Sequence, residues 1–175
     1  MSKRKLLLVN VIAAIVVIGG YSLYVRASIR SFDIYDLVAY TAYPEKLATE
    51  EFVWVPSART VLLNELARRS SADLLDSLRT KGINAYFIIS WADLDLDGEY
   101  ERERLAPLLR LLDILDEKGF DVSFLSESGC SAFHEAAIHE DVTAMGILRE
   151  RYPKAQIEGN LEAQIPACRQ DLLIE

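Results

Sequence analysis

Three groups of residues have types and spacings that could do chemistry. The first is His134-Glu135 with His139, superficially the H-E-x-x-H pattern of helical zinc sites. Here the histidines stand five residues apart, so on a helix their imidazoles point about 140° apart instead of sharing a face. No third ligand is in view, and His139 reads better as an exposed helix-end residue. The second is Asp93-Leu94-Asp95-Leu96-Asp97-Gly98, the first half of a D-x-D-x-D-G calcium loop. The bidentate Glu needed at the twelfth position is replaced by Arg104, and Glu103 comes one residue early. Asp93, Asp95 and Asp97 are therefore a calcium candidate with an incomplete ligand set, and the plain alternative is an acidic, solvated insertion. The third is Gly129-Cys130-Ser131-Ala132-Phe133, which lacks the second glycine of a G-x-S-x-G nucleophile elbow. Its serine is better explained as a helix cap.

No nucleophile–base constellation, phosphate loop, dinucleotide fingerprint or C-x-x-C motif follows from the sequence. The expectation is a protein that is not an enzyme and carries no cofactor. With two cysteines and two histidines the chain is neither a disulfide scaffold nor a Cys/His metal cluster. Cys130 and Cys168 are free to pair in an oxidising compartment or to remain separate, and spacing does not decide between these.

The elements that must position these residues are short helices. Asp33 to Tyr43 has helical apolar spacing and stops at Pro44. Pro44 to Pro56 reads as irregular, with Phe52 to Val55 extended. Leu62 to Ala67 and Ala72 to Leu78 form a helix pair broken at Ser70-Ser71 and ended by Gly82. Leu105 to Glu117 is a helix closed by Gly119, and Ala132 to Ile138 with Val142 to Arg151 repeats the short-pair pattern before Pro153. Only Ala85 to Ile89 has a hint of strand character.

Charge divides the chain in two. Of 175 residues, 51% are hydrophobic, enough for a core and a membrane segment. Lys3, Arg4, Lys5, Arg26 and Arg30 are five of the 19 basic residues; beyond residue 30 the remaining 14 face 27 acidic ones, a net of −13. Such a surface repels phosphate backbones, which disfavours nucleic acid and favours a partner with a basic surface. Residues 6–25 carry no charge, and at about 1.5 Å per residue they span about 30 Å, the hydrocarbon thickness of a bilayer. Three basic residues precede this run and two follow it, with Tyr21 and Tyr24 near its far end. The bias predicts a cytoplasmic N-terminus and a domain on the far side of the membrane. A cleaved signal peptide ending near Ala27 is the competing reading; the apolar run is longer than such a segment needs.

From Gly129 the chain reads G-C-S-A-F-H-E-A-A-I-H-E-D-V-T-A-M-G-I-L. This stretch resembles the ankyrin repeat, with Gly129, Ser131, Phe133, His134, Ala136, Ala137, Met145 and Leu148 in register and no gap. Upstream, Leu112, Leu115, Gly119, Asp121 and Val122 match the end of a preceding repeat, and Leu63, Ala67, Leu75, Leu78, Gly82 and Asn84 fit the same frame. Ala132 stands for the pattern's proline, Glu140 for the glycine between helices, and Tyr152-Pro153 for its closing Gly-Ala.

The resemblance implies an all-α, short ankyrin-repeat solenoid of about three helix pairs, which the uncharged run at 6–25 sets behind one N-terminal transmembrane helix. The expected layout is a cytoplasmic tail at 1–5, an anchor at 6–25, a juxtamembrane segment and N-terminal cap at 26–58, repeats at 59–165 with an insertion at 87–104, and a tail at 166–175. It assigns structural roles to Gly119, Gly129, Ser131, His134, Ala136, Ala137 and Leu148. It also implies protein recognition through variable surface positions: Phe124, Leu125, Ser126 and Glu127 at a loop tip, Glu135, Ile138 and His139 on a first helix, and Tyr86 in the preceding unit. Trp91, beside Tyr86 and Phe87, is added as an aromatic that either anchors a partner or packs the insertion onto the domain. The expected function is an exported, membrane-tethered binding module, most sharply an immunity protein that neutralises an antibacterial toxin. An envelope scaffold for a resident protein and a calcium-responsive binding protein are the alternatives.

Overall fold

The computed structural model describes residues 3–43, 58–92, 94 and 101–154. They form eight helices, with no strand among the described residues: α1 (Lys3–Ser31), α2 (Ile34–Ala42), α3 (Ala58–Arg68), α4 (Ser71–Thr80), α5 (Ala85–Ser90), α6 (Glu101–Glu117), α7 (Ala132–Ile138) and α8 (Val142–Arg151). The extended reading of Phe52 to Val55, the calcium candidate Asp93, Asp95 and Asp97, and Cys168 lie outside the described residues.

Five of the helix starts have a capping side chain. Asp33, Ser70, Ser131 and Asp141 each accept a hydrogen bond from the backbone N–H three residues on, satisfying a donor that the first helical turn leaves unpaired. Ala85 to Ile89 is where the structure departs from the strand hint. Asn84 accepts from the N–H groups of Tyr86 and Phe87 and starts α5. The cap and the burial of Ile88 and Ile89 override the β preference of branched and aromatic residues.

Three helix ends share one geometry. After α4, Gly82 has φ 60° and the Ile83 N–H returns to the Leu78 carbonyl. After α6, Gly119 has φ 85° and the Phe120 N–H returns to Leu115. After α7, the same 6→1 bond runs from Asp141 to Ala136, with Glu140 in the left-handed position at φ 53°. These are Schellman endings, whose left-handed residue favours glycine. Glu140 stands where a glycine would cost less.

The core is a leucine-rich cluster. Leu62 and Leu66 of α3, Leu74 and Leu78 of α4, Ile88 of α5, Leu108, Leu111, Leu112 and Leu115 of α6 and Leu148 of α8 are fully buried. The segment expected to be a cap contributes more than a cap: α2 packs against α3, α4, α5 and α6, and Leu37 and Val38 are wholly buried. α5 in turn packs on both α7 and α8. Two polar clamps join distant elements. Lys118 donates to the carbonyls of Ala67 and Arg69 at 2.8 and 2.7 Å, placing a cation where the α3 dipole is negative. Arg151 donates to Asp113 and Asp116 at 2.7 Å each, and the Tyr152 hydroxyl donates to Asp116 at 2.8 Å. Burial works to lower the Arg151 pKa, but these hydrogen bonds outweigh it and the net shift is upward. The arginine stays charged and ties α8 to α6.

α1 is a single helix whose Asn10–Ser31 stretch, 22 residues, is long and apolar enough to cross a membrane. Most of that stretch is exposed; Ile15, Val16, Val17 and Ile18 are each between 64% and 70% accessible. Its last turns behave differently. Val25 and Ile29 are fully buried against the domain, α1 packs on α3, and the Arg69 guanidinium donates to the carbonyls of Arg30 and Phe32. A domain fragment beginning at residue 31 would lose two core side chains.

Candidate functional site

The connection between α6 and α7 is built around serines. After Gly119, Asp121 accepts from both the N–H and the hydroxyl of Ser123, and these bonds hold its carboxyl below the usual carboxylate range. The tip closes through Ser126 N–H to the Cys130 carbonyl at 2.7 Å and Gly129 N–H to Ser126 at 2.9 Å. Gly129 has φ 73°, which the turn requires. Cys130 itself is disulfide-bonded.

This loop is anchored to α7 by a buried carboxylate. Glu135, 5% exposed, accepts from the hydroxyls of Ser126 and Ser128 at 2.7 and 2.8 Å. Its other oxygen lies 3.7 Å from His139 Nε2, and the His139 ring stacks on Tyr86 with centroids 5.4 Å apart and planes 5° from parallel. Burial, with the carboxylates of Asp141 and Glu135 nearby, raises the Tyr86 pKa, so its hydroxyl stays protonated. Ser126, Glu135, His139 and Tyr86, expected as separate surface positions, are thus one network. The surface expectation is corrected for three of them: Ser126, Glu135 and Tyr86 are buried. Glu135 points inward, where two serine hydroxyls donate to it and offset the cost of burying its carboxylate.

Beside this network lies an open groove of about 610 Å³. Tyr35, Phe87 and Trp91 form its aromatic wall, Lys81 one side, and Ser126, Glu127 and Ser128 the opposite lip. Tyr35 and Trp91 meet edge to face at 5.4 Å. Lys81 Nζ sits 4.3 Å above the Tyr35 ring and 3.5 Å from an Asp33 carboxylate oxygen. The wall is fixed by α2 and α5 and the lip by the serine–Glu135 anchor, so both sides are held by the core. Chemically the groove offers apolar area with the Asp33-paired Lys81 cation and the Glu127 carboxylate at its edges, the pattern of a peptide or protein contact. The two lip serines already donate their protons to Glu135.

Of the expected partner-binding residues, Trp91, Ser126 and Glu127 line the groove, and Tyr86 and His139 adjoin it through the stack. Phe124, Leu125 and Ile138 do not line it; Leu125 is 51% exposed on the loop itself. Tyr35 and Lys81 belong to the groove and escaped sequence reasoning, because only packing brings α2 beside the α4–α5 turn. At the positions given structural roles, Ser131 caps α7 and its hydroxyl lies 2.7 Å from His134 Nδ1. Ala136 and Leu148 are buried, and Ala137 is half-buried. The two histidines do not converge: His134 is buried behind Ser131, while His139 lies on Tyr86. Among the described residues no group of three His, Cys, Asp or Glu side chains could hold a metal ion. Comparison of the chain with protein-family models, with curated proteins and with solved structures finds no match.

Proposed function

We propose that this chain is a membrane-tethered binding module of the ankyrin type, and that the groove between Trp91 and the Ser126–Ser128 lip receives a protein partner. The observation that carries the reading is the groove itself: three aromatic rings and a cation facing a carboxylate on a lip rigidly anchored from below. These rings are half-buried, and aromatics whose burial a partner completes dominate binding energies. The ankyrin reading draws support from the packed helix pair α7–α8, from the Ser131–His134 contact at the head of α7, and from the left-handed backbone at Glu140, where the family pattern has glycine.

Export is the companion proposal. The apolar stretch of α1 supports an anchor, and Val25 and Ile29 in the core support its retention, since cleavage near Ala27 would remove Val25. The disulfide at Cys130 fits folding in an oxidising compartment. With the acidic body facing the periplasm, a basic partner would be steered toward it at low salt. The sharpest version is an immunity protein that occupies an incoming toxin.

Co-purification of the full chain in mild detergent from cells exposed to a competing strain tests the reading. A secreted, basic, toxic partner that wild type retains and Trp91→Ala releases about tenfold more readily supports it. Capture of a resident envelope protein through the same groove would replace immunity with scaffolding. A partner retained equally by Trp91→Ala and Glu127→Lys would refute the groove as its site.

A further inference from the structure

We propose that the cleft between the end of α1 and α3 binds the phosphate of an anionic phospholipid headgroup; this rests on the reading of α1 as a membrane anchor. The cleft holds about 210 Å³ and is lined by Arg26 and Arg30 of α1 with Thr60, Asn64, Glu65 and Arg68 of α3. Arg26 and Arg30 are one helical turn apart and share a face. Neither guanidinium has a hydrogen-bond or ion-pair partner among the described residues.

The single carboxylate in the cleft does not cancel this charge. Glu65 is largely buried, 14% exposed, and sits 3.5 Å from Arg69, which lies behind it. Arg69 also donates to the carbonyls of Arg30 and Phe32, so it neutralises Glu65 and clamps the walls of the cleft together. Arg68, 68% exposed and 3.9 Å from the other Glu65 oxygen, keeps donors free for a ligand. Three guanidiniums thus converge on a space with a hydroxyl and an amide at its edge, and guanidinium forks match phosphate oxygens.

Position supplies the source of the phosphate. The uncharged run of residues 6–25 accounts for about 30 Å of helix, so Arg26 follows its last residue and Arg30 lies one turn further. Both fall at headgroup depth, where arginine extends its charge to phosphates. The rest of the domain is strongly acidic and would be repelled by an anionic bilayer. A basic cleft at its membrane-facing end lets it sit on that surface in a fixed orientation, with Arg69 transmitting the contact to α3.

The test uses the full chain in nanodiscs of phosphatidylcholine with a minor fraction of phosphatidylglycerol, released into native mass spectrometry. The expected result is about tenfold enrichment of retained phosphatidylglycerol. Enrichment falls to parity in Arg26→Gln/Arg30→Gln/Arg68→Gln and persists in Arg79→Gln/Arg149→Gln. Arg68→Gln alone, at an exposed position that folding tolerates, lowers it severalfold. Equal retention of both lipids by wild type, or undiminished enrichment in the triple variant, overturns the proposal. Thermal stabilisation in neutral detergent by inorganic phosphate as large as that by phosphatidylglycerol overturns the lipid source and leaves phosphate recognition alone. Failure of the chain to float with neutral vesicles would remove the anchor reading as well, whereas flotation without headgroup selectivity removes only this inference.

Discussion

The turn after α4 and the turn after α6 begin alike and end very differently. Each opens on a left-handed glycine with the same 6→1 backbone bond. The first then starts α5 almost at once, through Asn84. The second runs from Lys118 to Ser131 before α7 begins, and it folds back onto the first. Asn84 donates to the Cys130 carbonyl at 3.2 Å, and the backbone of Glu127 lies against Gly82. One local motif thus serves two purposes. After α6 it simply ends a helix; after α4 it ends a helix and also gives the long loop a seat, which shapes one side of the groove.

That contrast makes the largest prediction. A Cβ on Gly82 would lie 2.6 Å from the Glu127 backbone nitrogen, while one on Gly119 would meet nothing within 4 Å. Gly119→Ala carries only the left-handed penalty, about 1 kcal/mol. Gly82→Ala adds overpacking against backbone and should cost about 3 kcal/mol. Thermal melting of the two variants of the full chain in mild detergent compares them directly; equal shifts would mean the loop is not seated on that turn.

Next in size is the anchor of the long loop. Glu135→Ala leaves the Ser126 and Ser128 hydroxyls without their acceptor and should destabilise by about 2 kcal/mol. Glu135→Gln, which keeps an acceptor oxygen, should lose about half as much. Partner release from the Glu135→Ala variant, measured beside its melting curve, shows whether the lip shapes the groove or merely stabilises the fold.

Protonation sharpens the comparison from below the loop. Burial holds the His134 imidazole below its ordinary pKa, against the upward pull of Glu135. Its Nε2 is buried without a hydrogen-bond partner among the described residues. The unfolded chain therefore takes up this proton first, so the stability that His134 contributes is full above about pH 6.5 and is lost as pH falls toward its folded pKa. Melting temperatures at about pH 7.5 and about pH 5.5 should differ less in His134→Asn than in wild type.

The smallest effect is a gain. The third Schellman ending has Glu140 where the other two have glycine, so Glu140→Gly should stabilise by about 0.5–1 kcal/mol. A loss of stability instead would show that the Glu140 side chain does something its backbone angle does not suggest.

Two helices were legible to the residue because their ends rest on local rules, whereas α3 and α6 each begin four residues before their expected starts at Leu62 and Leu105. Ala132–Ile138 and Val142–Arg151 follow from their caps and their terminating residues, and the structure has those same bounds. α5 was misread because Tyr86, Phe87, Ile88 and Ile89 favour a strand by type, and the deciding cap at Asn84 is a single side chain. The groove was half legible. Trp91, Ser126 and Glu127 stood out by type or frame, but Tyr35 and Lys81 gave no signal.

Periodicity, caps and glycines therefore determined, from the sequence alone, an all-helical domain behind an apolar N-terminal helix, since these features act within a few residues of chain. Tertiary structure decided the rest. It drew Val25 and Ile29 of α1 into the core and turned Glu135 inward. It also set α2 beside the α4–α5 turn and folded the long loop onto Gly82. Each of these depends on which apolar faces find one another and which buried polar groups find partners. Neither is encoded in the spacing of neighbouring residues.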